Sequence, residues 1–119
     1  MTHFFHIDEL LRERARRGKL YFEFLRVPAM SAGVYVLGAG ARDPQKPHHE
    51  AEMYYVVRGH GRMQIDSGET RADAEVRAGS VIFVDAQREH RFYDIIEELE
   101  VLVFFAPAEL EGSEVRDQG

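Results

Sequence analysis

His48-His49-Glu50-Ala51-Glu52 and, further along the chain, the run from Gly79 to His90 carry the residue types that ligate divalent metals. Side chains alternate across a strand, so a strand through the first segment places His48, Glu50 and Glu52 on one face and turns His49 to the other. If His90 lines the same interior, the chain holds a metal site of His48, Glu52 and His90. Two imidazoles with one carboxylate suit Fe(II) and leave positions open, and imidazole also accepts Ni, Zn and Cu. The expected cofactor is one divalent transition metal: Fe, Mn, Ni or Zn.

Glu50 has several possible roles: a fourth ligand, an acceptor for an imidazole N–H, a general base, or a solvent-facing loop carboxylate. Two carboxylates inside a barrel repel each other, and a bound cation relieves that cost. The inward row continues from Glu52 to Tyr54 and Val56, and from His90 to Phe92 and Asp94. Tyr54 is therefore a second catalytic candidate beside Glu50, holding a substrate oxygen or packing with its hydroxyl at the rim. Asp94 would orient His90 or touch a ligand, while Phe83 and Phe92 belong to the core. His60, between Gly59 and Gly61, reads as a hairpin turn, and His3 and His6 precede the first element.

The elements that must position these groups are mostly strands. Ile7, Leu10, Leu11 and Ala15 follow helical spacing, with Asp8 as N-cap and Gly18 beyond a basic last turn, so residues 8–17 form a short amphipathic helix. After Gly18 the pattern is strand and turn. The expected strands are Leu20–Val27, Ser31–Leu37, Ala51–Val57, Arg62–Asp66, Thr70–Val76, Ser80–Val84, His90–Ile95 and Leu99–Phe105, with a turn at Ser67-Gly68. Short strands broken by Gly and Pro indicate an antiparallel sandwich or barrel spanning about residues 20–106, followed by a frayed polar tail at 112–119.

A chain of 119 residues supports one core and hence one domain. Its net charge of −6 argues against an electrostatic nucleic-acid partner. Arg12, Arg14, Arg16 and Arg17 alternate with Glu9 and Glu13, as on a solvated helix face. With no cysteine, disulfides and thiolate chemistry are excluded. No apolar run is long enough to cross a bilayer or to act as a signal peptide, so no membrane partner is expected and the cytoplasm is the default location.

Gly40, His48, Glu52 and Gly59, followed by Gly79 and His90, resemble the two motifs of the cupin superfamily. The first motif places a glycine, a His-x-His pair, a glutamate and a further glycine. Glu52 to Gly59 reproduces its second half, and His48 stands where the second histidine belongs. Lys46 occupies the first histidine's position, so one usual ligand is missing. In the second motif Gly79-Ser80-Val81-Ile82-Phe83-Val84 keeps the strand and His90 the ligand, whereas Asp85, Gln87 and Asp94 replace the usual Pro, Gly and Asn.

The resemblance covers roughly residues 30–106 and implies an all-β double-stranded β-helix, or jelly-roll barrel, with one metal inside. Members include dioxygenases, isomerases, epimerases, decarboxylases and binding domains, so the fold does not supply the function. A metal-dependent enzyme on a small oxygenated substrate, dioxygenase- or isomerase-like, is one expectation. A non-catalytic binding or sensing barrel, or a metal-free barrel working through its dimer surface, is the other. Leu99–Phe105 and the Tyr21–Leu25 stretch are apolar on both faces, which calls for cover from the helix or from a second subunit and favours a homodimer.

Overall fold

Helix α1 spans Ile7–Arg17, one residue earlier than the spacing predicts, because His6 and not Asp8 caps it. The His6 backbone is extended and its ring nitrogen accepts from the Asp8 N–H at 3.3 Å. Asp8 thereby joins the first turn, where its carboxylate meets Arg58 at 2.8 Å and is held below the usual carboxylate range by that guanidinium. Gly18 ends the helix in the left-handed region, with φ +69°, and its N–H donates to the Arg14 and Ala15 carbonyls. The interleaved charges pair as a solvated face does, with Glu13 accepting from Arg16 and Arg17.

The computed structural model describes residues 2–66 and 69–110; the expected turn at Ser67-Gly68 and the expected tail at 112–119 lie outside them. Six strands follow the helix: β1 (Tyr21–Val27), β2 (Met30–Leu37), β3 (Ala51–Asp66), β4 (Arg71–Arg77), β5 (Val81–Val84) and β6 (His90–Ala106). They pair antiparallel in the order β1-β2-β6-β3-β4, and β5 also joins β3.

Two pairs of expected strands are each one strand. Ala51–Val57 and Arg62–Asp66 merge into β3, and His90–Ile95 and Leu99–Phe105 merge into β6. Gly59-His60-Gly61 is therefore not a hairpin. The β3–β6 ladder slips register at Val56/Arg58, Arg58/His60 and His60/Arg62, and His60 sits inside the sheet opposite Arg77 and Glu97. Gly59 takes φ +106°, and a Cβ there would lie 2.1 Å from the Glu98 carbonyl oxygen. A Gly-x-Gly signal thus marks a bend within one long strand.

The bend lets the two ends of each long strand serve different neighbours. The first part of β3 lies between β5 and the end of β6; its second part lies between β4 and the start of β6. Tyr35, Tyr54, Val56, Phe92, Leu99 and Phe105 fill the interior. Burying each large apolar side chain is worth about 2 kcal/mol. Outside, Ile7, Leu10 and Leu11 of α1 pack on Val34 and Val36, with Phe22, Phe24 and Leu102, so the helix covers part of the two-sided strands.

Two inward assignments fail. Phe83 is 55% exposed, since β5 turns its alternate residues outward. Asp94 is exposed at φ 49°, where an irregular backbone takes it out of the inward row that Phe92 continues. Among the described residues, no helix is long and apolar enough to cross a membrane.

Gly59→Ala combines left-handed strain with a backbone clash. It is expected to lower the unfolding free energy by about 3 kcal/mol, read by urea denaturation.

Candidate metal centre

Glu52 enters on the first turn of the ladder, between Val84 of β5 and Phe105 of β6, and is 2% exposed. His90 begins β6 at the opposite end, paired with Ile65. The curled sheet brings these distant positions together: His90 Nε2 lies 3.1 Å from Glu52 Oε1. His48 comes from the loop before β3, since the strand starts only at Ala51. Its ring lies against Phe105 and near His90, at 5.0 and 5.8 Å between centroids. The ligand atoms of His48, Glu52 and His90 all lie within 4.8 Å of one another.

The hydrogen bonds around the two rings select their tautomers. His90 Nδ1 lies 2.8 Å from the Arg88 carbonyl, which can only accept, so Nδ1 carries a proton and, in the neutral ring, Nε2 presents a lone pair. Nε2 and Glu52 Oε1 are then two acceptors at 3.1 Å, an arrangement that a proton or a cation between them resolves. His48 Nδ1 lies 3.1 Å from Glu109 Oε2, a fully buried carboxylate that orients the ring and makes Nε2 the nitrogen a metal would take. The donor set therefore fits a first-row divalent ion.

A polar chain behind the site was invisible in the sequence. Asp43 accepts four hydrogen bonds: from the Tyr35 hydroxyl at 2.6 Å, the Gln45 N–H at 3.2 Å, Gln45 Nε2 at 2.6 Å and the Phe92 N–H at 2.9 Å. With its amide nitrogen on Asp43, Gln45 turns Oε1 to the Tyr54 hydroxyl at 2.7 Å. Tyr54 donates there and faces His90 Nε2, 3.0 Å away, with an oxygen lone pair. Glu109, Asp43 and Gln45 sit in irregular segments without periodicity, so alternation could not reveal them. Only the Asp43-Pro44 and Lys46-Pro47 pairs hinted that this loop is stiff.

The remaining candidates fall elsewhere. Glu50 is buried but belongs to a bend, and its Oε2 accepts from the Leu110 N–H at 3.3 Å. The imidazole-orienting role considered for it is filled by Glu109 at His48. His49 points outward, with Nδ1 3.2 Å from Gln87 Nε2. Lys46 is exposed, His60 lies 3.2 Å from Glu75, and His3 and His6 stay at the exposed N-terminal end.

Comparison with known proteins places these features in a family context. The Cupin domain family pattern matches residues 33–105. A protein of Streptomyces coelicolor is 44% identical over 105 residues, covering 88% of this chain and 96% of the relative. A Klebsiella pneumoniae protein with a double-stranded β-helix domain superposes with TM-score 0.72 at 17% identity, over 90% of this chain and 91% of that one. A DMSP lyase of Ruegeria pomeroyi aligns with TM-score 0.60 at 18% identity; it covers 67% of this chain, which spans only 39% of the lyase.

Replacing the Asp43 acceptor leaves several buried donors facing one another. Asp43→Ala is expected to lower stability by about 3 kcal/mol or more, measured by chemical denaturation.

Proposed function

The chain belongs to the Cupin domain family, and from that premise we propose that it is a metal-binding cupin acting on a small oxygenated molecule. His48, Glu52 and His90 hold the ion, which is Fe, Mn, Ni or Zn. The observation that carries this reading is the 3.1 Å approach of Glu52 Oε1 to a His90 nitrogen whose partner nitrogen is already committed to the Arg88 carbonyl. When bound, the metal supplies a Lewis acid or an O2-reactive centre with open positions. Glu109 keeps His48 in the ligating tautomer, and Arg88 does so for His90. Tyr54, its hydroxyl proton held by Gln45, turns an oxygen lone pair to the site and is the group best placed to accept a hydrogen bond from a substrate hydroxyl. Glu50 is a poorer proton carrier because its carboxylate is engaged with the Leu110 N–H. That a fold neighbour is a lyase is consistent with catalysis in this architecture. The reaction class, dioxygenase- or isomerase-like, and a cytoplasmic site of action stay part of the same proposal.

Metal-free protein titrated with Fe, Mn, Ni and Zn is expected to gain about 2.7 kcal/mol of stability when one ion reaches a hundredfold excess over its dissociation constant. His90→Ala abolishes the gain, and Glu109→Gln weakens metal affinity about 10–100-fold. No melting shift with any of the four ions would sink the metal reading.

The proposal includes a homodimer. Helix α1 covers one part of the outer sheet face, but Val81 and Phe83 of β5, 63% and 55% exposed, adjoin exposed Met53 and Tyr55 of β3. A contiguous apolar patch of this kind fits a second copy of the chain. Light scattering is expected to give twice the chain mass for the natural protein and the single mass for Phe83→Asp.

A further inference from the structure

Beside the centre lies a groove of about 560 Å³ whose lining includes Gln45 and His90, so it adjoins the candidate metal site at His90. Four cations line it: Arg42 and Lys46 from the loop after β2, Arg71 at the start of β4, and Arg91 on β6. These groups converge from three separate stretches of a chain whose net charge is −6. None of Arg42, Lys46 and Arg71 forms an ion pair with another described residue, whereas Arg58 and Arg62 are each tied to carboxylates. Three carboxylates share the lining. Asp43 is turned inward to its four donors, and Asp66 is itself engaged. Glu89 is exposed at the rim.

We infer that this groove binds a small organic anion, with carboxylate or phosphate groups held by Arg42, Lys46, Arg71 and Arg91. This assignment names the substrate class of the proposed metal site and so rests on that reading for its position, though not for its charge. The chemistry selects it in two ways. Guanidinium groups present paired donors that match carboxylate and phosphate oxygens, and Lys46 adds a mobile point charge. A groove with cationic walls also concentrates anions that the overall negative charge would repel. Lys46, where the family's first histidine is missing, is thus a charge in the substrate's path instead of a ligand.

Calorimetry on manganese-loaded protein tests this with malonate and succinate against the neutral malonamide and succinamide. At least one diacid is expected to bind about tenfold or more tightly than its diamide, with Arg71→Ala and Lys46→Ala each weakening it about fivefold. Affinity falls as salt is raised, and manganese uptake and melting temperature are unchanged in both variants. Metal uptake with equal binding of acids and amides, or with no binding of either diacid, overturns the anionic groove and leaves the metal site standing. Charge-selective binding that persists in protein whose melting temperature responds to none of Fe, Mn, Ni and Zn keeps the groove and removes the metal reading. Loss of diacid binding in neither variant also overturns the assignment to these cations.

Discussion

A carboxylate oxygen and an imidazole nitrogen meeting inside the curled sheet set the terms for this protein. Glu52 Oε1 and His90 Nε2 face each other at 3.1 Å, both at the end of a long strand and both removed from water. Buried acceptors in such proximity repel unless something positive lies between them. The surrounding structure is arranged so that they cannot avoid each other. The Arg88 carbonyl commits the far nitrogen of His90, the Glu109 carboxylate commits that of His48, and Phe105 backs the His48 ring. Held in this way, the three side chains form the fixed donor set on which the proposed metal site rests.

The same constraint explains the loop between β2 and β3. Asp43 is buried, and its four donors come from two strands and from its own loop. It thereby anchors Gln45, which orients Tyr54, whose oxygen faces His90. The loop therefore works in two directions. Its inward residues set the polarity of the interior, while Arg42 and Lys46 line the groove beside His90. Buried polar networks rigidify a site only when each member is satisfied, and every donor to Asp43 has a defined acceptor oxygen.

The outer surface follows from the strand pattern. Residues such as Leu99, Val101, Val103 and Phe105 face inward, which leaves Leu102 and Phe104 on the other side. The helix shields the portion over β1 and β2, but its eleven residues do not reach β5. Val81 and Phe83 therefore stay exposed beside Met53 and Tyr55.

Much of this was legible beforehand. Alternation around Glu52 and His90 identified the inward row of Tyr54, Val56 and Phe92, and the spacing of glycines, histidines and glutamate pointed to the family. The misplaced strand ends share one cause. Gly59-His60-Gly61 and the Asp94–Glu98 stretch carry turn-like signals, yet the chain continues through them as bent strand because β4 and the facing halves of β3 and β6 supply ladder partners. Glu109 and Asp43 escaped notice because irregular backbone has no period from which to infer a side chain's direction. Amino-acid sequence alone determined the residue types, the alternation that turns Glu52 and Tyr54 inward, and the spacing that singled out His48, Glu52 and His90 as candidates. Tertiary structure decided that these three side chains meet, which carboxylate and amide support them, and which cations share a groove, because each depends on contacts between segments that only the curled sheet brings together.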